Sequence, residues 1–469
     1  MLTYHFKTGG EPLYVQLYDA IKGDILSGVL MPGEALPGKR PFAKHLGISV
    51  STVENAYGQL MAEGYITSMP RRGFYVAEVK TLPKVPETVP VQKTPDPVLE
   101  SLHTALRGRR WFADFQSNQT DPASFPFTLW AKLTREVLSD EQDQLMTNPP
   151  AGGTLTLRTA IADHLRDFRG LVVAPEQIIV GAGTEYLYTL LIQLLGFDRI
   201  YAVESPGYRK ILQVYEAHRL KTAKIPLDHQ GLRPDRLEAS GASIVHITPS
   251  HHFPTGITMP IARRYEMLSW ANQAPDRLII EDDYDSEFRM TGRPLPPLAA
   301  IDMTGRVIYM NTFTKSLAST VRVSYMVLPP ALTAAFYRKL RFYACTVSTF
   351  EQAVLARFIA EGHYEKHLNR MRQAYRRRRD VLLGAIGQSP MAGCAAISEE
   401  NAGLHFVLTL KIKKRDEAVV QDAAKRGIRV APLEAGDAHR FLINYSSIPE
   451  RVIPEAVRRL SEAVLGREG

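Results

Sequence analysis

Apolar residues in the first eighty positions recur at helical spacing. Leu13, Leu17, Ile21 and Ile25 share one face, which predicts a helix over Pro12–Ser27 that Gly28 ends. Met31-Pro-Gly33 is a turn signal. Two short helices follow. One spans Arg40–His45 and breaks at Gly47. The other runs through Thr52, Val53, Ala56, Tyr57 and Leu60 to Gly64, with Ser49 or Ser51 as its cap. Tyr65–Val76 then reads as two strands around a basic turn. Helix, turn, helix and a two-stranded wing make a winged helix-turn-helix, whose second short helix suits a DNA major groove.

Thr81–Pro97 contains five prolines, too many for a helix or a central strand, and is expected to be an extended tether. From Trp111 the pattern changes. Helical stretches alternate with β-branched runs at 177–180, 199–203, 243–247, 278–280, 307–309 and 321–328, which implies a mostly parallel sheet covered by helices. Helices and strands near Leu404–Leu408 and Phe441–Tyr445 close the chain. The expected organisation is multidomain: a head over 1–78, a linker over 79–110, and an α/β unit over 111–469, with a large part to about 330 and a small part after it.

Composition fits this division. At 469 residues, with 45% hydrophobic and 23% charged residues, the chain has enough for more than one core. No apolar run reaches membrane-spanning length and no secretory signal opens the sequence. Cys345 and Cys394 are isolated, so a reducing cytoplasm is expected. The net charge of +8 permits nucleic-acid binding. Much of the excess lies in Lys366–Arg379, read as the solvated face of a long helix.

Candidate chemistry gathers at the strand ends. Val307–Thr312 leads to a polar turn carrying Lys315, with Arg322 seven residues on. Leu278-Ile-Ile runs into Glu281-Asp282-Asp283-Tyr284. A lysine that forms a Schiff base with pyridoxal phosphate needs an acid to keep the ring nitrogen protonated and fixed donors for the phosphate. Asp282, Tyr284, Lys315 and Arg322 supply such groups. Gly181-Ala-Gly-Thr184 follows a strand and opens a helix, as a phosphate cradle does. Glu185 brings a negative charge to that turn, so a salt bridge or an outward rotamer is required. Tyr208 is placed either to lie on an aromatic ring or to pack in the core. His251 and His252 have no third ligand spaced with them, so no metal is expected. His252 either reaches a cofactor oxygen or is structural.

The N-terminal order resembles the GntR family of bacterial transcription regulators, through Leu36-Pro-Gly-Lys-Arg40, Leu46-Gly-Ile-Ser49, Thr52-Val53, Ala56-Tyr57 and Glu63-Gly-Tyr65. The resemblance implies that Lys39, Arg40 and Lys44 meet phosphates of double-stranded DNA. It also implies that Ser51, Thr52 and Asn55 face the groove, and that Arg71 and Arg72 lie on the wing. Val50 stands where the family usually has a basic residue.

Residues 111–469 resemble fold-type I pyridoxal-phosphate aminotransferases. Joined to the head, with Glu281–Arg289 and Thr312–Leu317, they resemble the MocR (GabR-like) branch of the GntR regulators. The resemblance implies pyridoxal 5'-phosphate on Lys315, Asp282 at the ring nitrogen and Tyr284 at the ring hydroxyl. Tyr208 would stack, while Gly183, Thr184, Thr312 and Arg322 would hold the phosphate. It further implies a head-to-tail homodimer. Phe253 replaces an asparagine common in aminotransferases, a loss His252 would make good. Leu442 takes the place of the usual carboxylate-gripping arginine, and Arg440, two residues early on the same strand face, is the candidate to grip a substrate or effector carboxylate instead. The expected function is a transcription regulator sensing pyridoxal phosphate or an amine that reacts with it, with a PdxR-type role in vitamin B6 metabolism. The alternative is an active aminotransferase with an appended DNA-binding domain.

Overall fold

The structure is a computed structural model that describes residues 2–7, 10–79, 110–117, 119–290, 295–401, 403–433 and 439–466. The chain divides into two compact units, Met1–Gly108 and Arg109–Gly469. The proline-rich tether expected over Thr81–Pro97 lies outside the described residues.

In the first unit, α1 (Leu13–Ser27) turns Leu17, Ile21 and Ile25 inward, as their spacing predicts. Gly28 closes it at φ 80, a left-handed conformation that glycine adopts without strain. β1 (Ala35–Leu36) leads to α2 (Lys39–Leu46) and α3 (Val50–Ala62). Of the two candidate caps, Ser49 does the work: its Oγ accepts from the Thr52 N–H at 3.1 Å. β2 (Ile66–Met69) and β3 (Gly73–Val76) form the wing hairpin. β1 joins them, giving the order β1-β3-β2. Two residues are too few for alternation to register, so this strand left no sequence signal. Phe42, Val53, Ala56, Tyr57 and Leu60 pack with the α1 face into one core. Burial of each of the larger side chains contributes roughly 1.5–3 kcal/mol.

The second unit begins with β4 (Ala113–Asp114) and α4 (Leu155–Arg169). Strands and helices then alternate: β5 (Ile178–Gly181), α5 (Thr184–Leu195), β6 (Ile200–Ser205), α6 (Arg209–Ala217), β7 (Lys221–Asp228), β8 (Gly231–Leu232) and β9 (Ile244–Ile247). They are followed by β10 (Leu278–Asp282), β11 (Val307–Thr312), α7 (Phe313–Ser316) and β12 (Ser324–Val327). The sheet order is β5-β12-β11-β10-β9-β6-β7-β8. The five strands from β11 to β7 are mutually parallel, while β12 runs antiparallel to both β11 and β5. Ile279 and Ile280 show how a continuous apolar strand serves two faces: they enter separate clusters on opposite sides of the sheet. β7 was not expected, because its half-exposed Lys-Thr-Ala-Lys run lacks a continuous apolar pattern.

After α8 (His363–Gln388), strands β13 (Ala395–Ser398), β14 (His405–Leu410), β15 (Ile428–Arg429), β16 (Ala431–Pro432) and β17 (His439–Asn444) complete the chain. β13-β14-β17-β16 form an antiparallel sheet. β4 pairs with β15, so the first residues of this unit lie with the C-terminal strands rather than with the large sheet. The basic run on α8 also departs from expectation. Arg376 donates to the Met290 carbonyl, Arg378 to the Ser446 carbonyl and Asp121, and Arg379 to the Glu400 carbonyl. Only part of the run is a solvated face, because long guanidinium arms satisfy loop carbonyls that would otherwise be buried without donors.

Candidate functional site

A cavity of about 240 Å3 lies beyond the C-terminal ends of β10 and β11, where open α/β sheets bind ligands. Asp282 ends β10, Thr312 ends β11, and α7 carries Lys315 into the same space. Burial pushes the Lys315 ammonium down to about 8, although Asp285 favours its charge. A lowered value keeps more of the amine neutral and nucleophilic near neutral pH.

The two adjacent acids have different fates. Asp283 turns away from the cavity into a sealed network, with Arg169 at 2.5 Å, Ser286 at 2.7 Å and Tyr309 at 2.8 Å. Asp282 faces the cavity. Its Oδ2 accepts from the Tyr188 hydroxyl at 2.8 Å, and His246 Nε2 stands 3.9 Å away. Its Oδ1 is buried with no hydrogen-bond partner among the described residues.

Gly183 and Thr184 open α5 at one end of the cavity. A Cβ on Gly183, at φ 95, would meet Arg322 Nη2 at 2.2 Å, so only glycine lets the guanidinium approach this closely. Arg322 pairs with Glu185 at 2.8 Å, and Lys210 closes on the other carboxylate oxygen, so of the two arrangements expected for Glu185 the salt bridge is the one present. Thr312 caps α7 by accepting from the Thr314 N–H at 3.2 Å, and its hydroxyl is also bonded to Ser324. Tyr208 lines the cavity and meets Phe253 edge-on at 5.6 Å. Tyr284 lines it too, with its hydroxyl 3.2 Å from His251 Nδ1.

Two expected residues are not brought to this cavity. His252 folds back into its own turn, with Nδ1 2.7 Å from Thr255 Oγ1 and Nε2 3.5 Å from Glu204. Burial pushes it down to about 3, so it is a neutral, structural histidine. Arg440 lines a separate pocket with Asp228 and Glu399. The reason is geometric. Arg440, Leu442 and Asn444 share one face of β17, and Asn444 is the one that reaches the Lys315 cavity. Each step of two residues moves about 6.6 Å along a strand, which leaves Arg440 some 13 Å beyond Asn444.

The fold also supplies His251 with neighbours that sequence spacing could not reveal. Asp285 Oδ2 lies 2.8 Å from His251 Nδ1, and the His405 ring lies tilted against the His251 ring with centroids 4.5 Å apart, all three residues being buried. Ligand-capable atoms of His251, Asp285 and His405 fall within 4.8 Å of one another. Gly403 makes room for them: a Cβ there would meet His251 Cε1 at 1.9 Å.

In the head, Arg40 and Lys44 lie one turn apart on α2, and Ser51 and Asn55 one turn apart on α3, all exposed. Lys39 pairs with Glu54 at 3.3 Å and sits over the Phe74 ring. Thr52 is half-buried, and its hydroxyl is tied to Ser49 at 2.7 Å. Arg71, at φ 62, and Arg72 occupy the exposed wing turn.

Residues 113–460 match the family of aminotransferases class I and II, and residues 13–76 match bacterial regulatory proteins of the gntR family. The chain is 32% identical to the probable rhizopine catabolism regulatory protein MocR of Rhizobium meliloti, over 97% of this chain and 94% of that protein. It is also 32% identical to the HTH-type pyridoxine biosynthesis transcriptional regulator PdxR of Corynebacterium glutamicum, over 96% of this chain and 95% of that protein. Among solved structures, the multiple substrate aminotransferase of Thermococcus profundus matches with a TM-score of 0.69 and 27% identity, covering 78% of this chain and 94% of that one. The chain belongs to the MocR-type regulators. It joins a GntR-type helix-turn-helix, a DNA-binding domain, to a fold-type I aminotransferase unit. Among the described residues of this MocR-type chain, no helix is long and apolar enough to cross a membrane.

Sequence reasoning missed several groups that line the regulator's cavity: Tyr188, Lys210, Asp285, His405 and Asn444. Some were within reach. Tyr188 is one helical turn beyond Thr184, Lys210 is two residues past Tyr208, and Asp285 lies inside the Glu281–Arg289 motif. His405 and Asn444 come from distant strands and carried no local signal.

Proposed function

We propose that this MocR-type regulator binds pyridoxal phosphate on Lys315 and couples that event, or the cofactor's reaction with an amine, to DNA binding. The observation that carries this reading is a buried, partly neutral lysine in one cavity with a carboxylate oxygen that lacks a partner among the described residues and a glycine-lined cationic cradle. The donor set fits the cofactor. Lys315 would hold its aldehyde carbon. Asp282 Oδ1 would accept a hydrogen bond from the protonated pyridine nitrogen, with Tyr188 fixing the other oxygen. Tyr284 would meet the ring hydroxyl, and Tyr208 would lie against the ring. Gly183, Thr184, Thr312 and Arg322 would hold the phosphate. When bound, the cofactor supplies an electrophilic carbon and an electron-withdrawing ring.

The displacement of Arg440 favours a sensor over an aminotransferase. Among the described lining residues Arg322 is the only guanidinium, so an α-carboxylate would enter the cavity without the usual bidentate partner. That supports pyridoxal phosphate itself, or an amine without such a carboxylate, as the signal. The likeness to a pyridoxine biosynthesis regulator supports a role in vitamin B6 metabolism. The retained lysine and acid support a second reading, residual half-transamination.

In the head, Arg40, Lys44, Arg71 and Arg72 would meet phosphates, with Lys39 joining once it leaves Glu54. Ser51 and Asn55 would face the bases, and Thr52 would act mainly as a cap partner. The regulator would work in the cytoplasm as a head-to-tail homodimer. Two heads on one DNA gain through effective concentration, so a ligand that shifts their arrangement changes affinity strongly.

The test is a titration of pyridoxal phosphate into cofactor-free protein while binding to its own upstream DNA is followed, with Lys315→Ala in parallel. A change in DNA affinity in the wild type alone is the expected result. Tight DNA binding that ignores the cofactor would reject pyridoxal phosphate as the signal.

A further inference from the structure

Glu185 stands at the mouth of the phosphate cradle. It follows Gly183 and Thr184 in the first turn of α5, and its two carboxylate oxygens are divided between two cations. Oε2 accepts from Arg322 Nη2 at 2.8 Å, while Oε1 pairs with Lys210 Nζ. The three side chains come from separate places: α5, the start of α6 and the turn before β12. The contact is also tight, since a Cβ on Gly183 would lie 2.9 Å from Glu185 Oε2 as well as against Arg322.

This is not a sealed structural ion pair like Arg169–Asp283. The side chains of Arg322, Lys210 and Glu185 are 49%, 47% and 30% exposed, so the bridge is open to exchange with a solute anion. Burial works against the Glu185 charge, but Lys210, the helix backbone and Arg322 outweigh it and hold the carboxyl below its ordinary range. Glu185 is therefore ionised wherever the regulator works. The cradle then carries two cations and one resident anion, a net charge of +1 where Lys210 and Arg322 alone would give +2.

We infer that Glu185 is a built-in competitor for the phosphate group, one that must release Arg322 before a phosphate monoester can take the guanidinium. The inference rests on the pyridoxal phosphate reading above and deepens it. A phosphate dianion meets a carboxylate already occupying its arginine and is repelled by it afterwards. The cofactor is then held by Lys315 with a weakened phosphate anchor. Reversible uptake is what a sensor requires and what an enzyme with a resident cofactor avoids. The carboxylate acts on the phosphate end only, so it discriminates by charge at that end and leaves recognition of the ring untouched.

The experiment compares full-length wild type with Glu185→Gln, which keeps the shape and removes the charge. Both are titrated with pyridoxal phosphate and with pyridoxal, which lacks the phosphate, and the visible absorbance of the bound cofactor is followed. Inorganic phosphate serves as competitor. The variant should bind pyridoxal phosphate at least about tenfold more tightly and be more sensitive to inorganic phosphate, since one unit charge a few ångströms away is removed from a half-exposed site. Its affinity for pyridoxal should change by less than about twofold. Glu185→Asp, which keeps the charge, should stay close to wild type. Normal cofactor absorbance with unchanged or weaker pyridoxal phosphate affinity in Glu185→Gln would overturn this inference alone. Equal gains for both ligands, or an Asp variant that gains as much as the Gln variant, would overturn it too. A wild type that takes up no cofactor would remove the functional reading and this inference together.

Discussion

The Tyr188 hydroxyl donates a hydrogen bond to Asp282 Oδ2 at 2.8 Å, and the second oxygen of that carboxylate is buried with no hydrogen-bond partner among the described residues. Burial and the neighbouring Asp282 charge raise the Tyr188 phenol well above its ordinary value, so it remains a donor at every working pH. The pair fixes one oxygen and presents the other to the cavity.

Tyr188→Phe removes that constraint without removing the carboxylate. Pyridoxal phosphate affinity should fall roughly three- to tenfold, about 1 kcal/mol, because Tyr188 orients the carboxylate without itself touching the cofactor. Asp282→Asn should cost more, because an amide cannot stabilise the protonated ring nitrogen. Absorbance titration of the two variants checks the order, and a Tyr188→Phe loss equal to that of Asp282→Asn would reject the orienting role.

Lys315 should set the pH dependence of cofactor uptake. Only the neutral amine attacks an aldehyde, so the uptake rate should rise with pH and level off near 8, where the buried lysine titrates. An ordinary lysine would keep gaining to about 10.4. Rapid-mixing absorbance between pH 6 and 10 reads the break. The sign for stability follows from the same shift. The unfolded chain holds this proton more tightly than the folded one, so below pH 8 burial of Lys315 costs stability. The cost fades as pH climbs toward the ordinary lysine range. Lys315→Ala should abolish the visible absorbance and leave the head folded, as circular dichroism would show.

Arg169 and Asp283 form an ion pair whose side chains are 3% and 0% exposed. Removing one partner strands a charge. Arg169→Met should lower the stability of the aminotransferase-like unit by about 3–5 kcal/mol, while Arg169→Met with Asp283→Asn should recover a large part of that. Thermal melts of the single and double variants test the coupling. Simple addition of the two single losses would show that the pair does not act as a unit.

What was legible in the sequence divides along the range of the interaction. The α1 face, the caps and the apolar β-strands are local patterns, and the structure places them close to where spacing does. Lys315 and Asp282 were legible as strand ends, because parallel strands deliver such ends to one edge, and Arg322 because the antiparallel β12 starts at that same edge. The failures are geometric or long-range. His252 and Phe253 are neighbours, yet the turn sends Phe253 to the cavity and His252 to Thr255. Arg440 shares a face with Asn444 but sits too far along the strand. His405 reaches His251 only through the packing of the C-terminal sheet, and no window of sequence contains both.

The DNA-facing residues should separate into positioning and reading groups. Arg40 is exposed, with no side-chain ion pair among the described residues of the head, so it is free to neutralise a phosphate. Arg40→Ala should weaken binding on every sequence and reduce the salt slope by about 1. Lys39→Ala should cost less, because Lys39 must first leave Glu54 and the Phe74 ring. Asn55 projects from α3 one turn beyond Ser51 and has an amide that can pair with an adenine edge. Asn55→Ala should therefore cost about 1–3 kcal/mol on the best operator and little on unrelated DNA, which relaxes base preference at one position. Binding isotherms on operator and scrambled duplexes at several salt concentrations measure both effects. A uniform loss across sequences for Asn55→Ala would make it a backbone contact, and an unchanged salt slope for Arg40→Ala would remove that arginine from the phosphate interface.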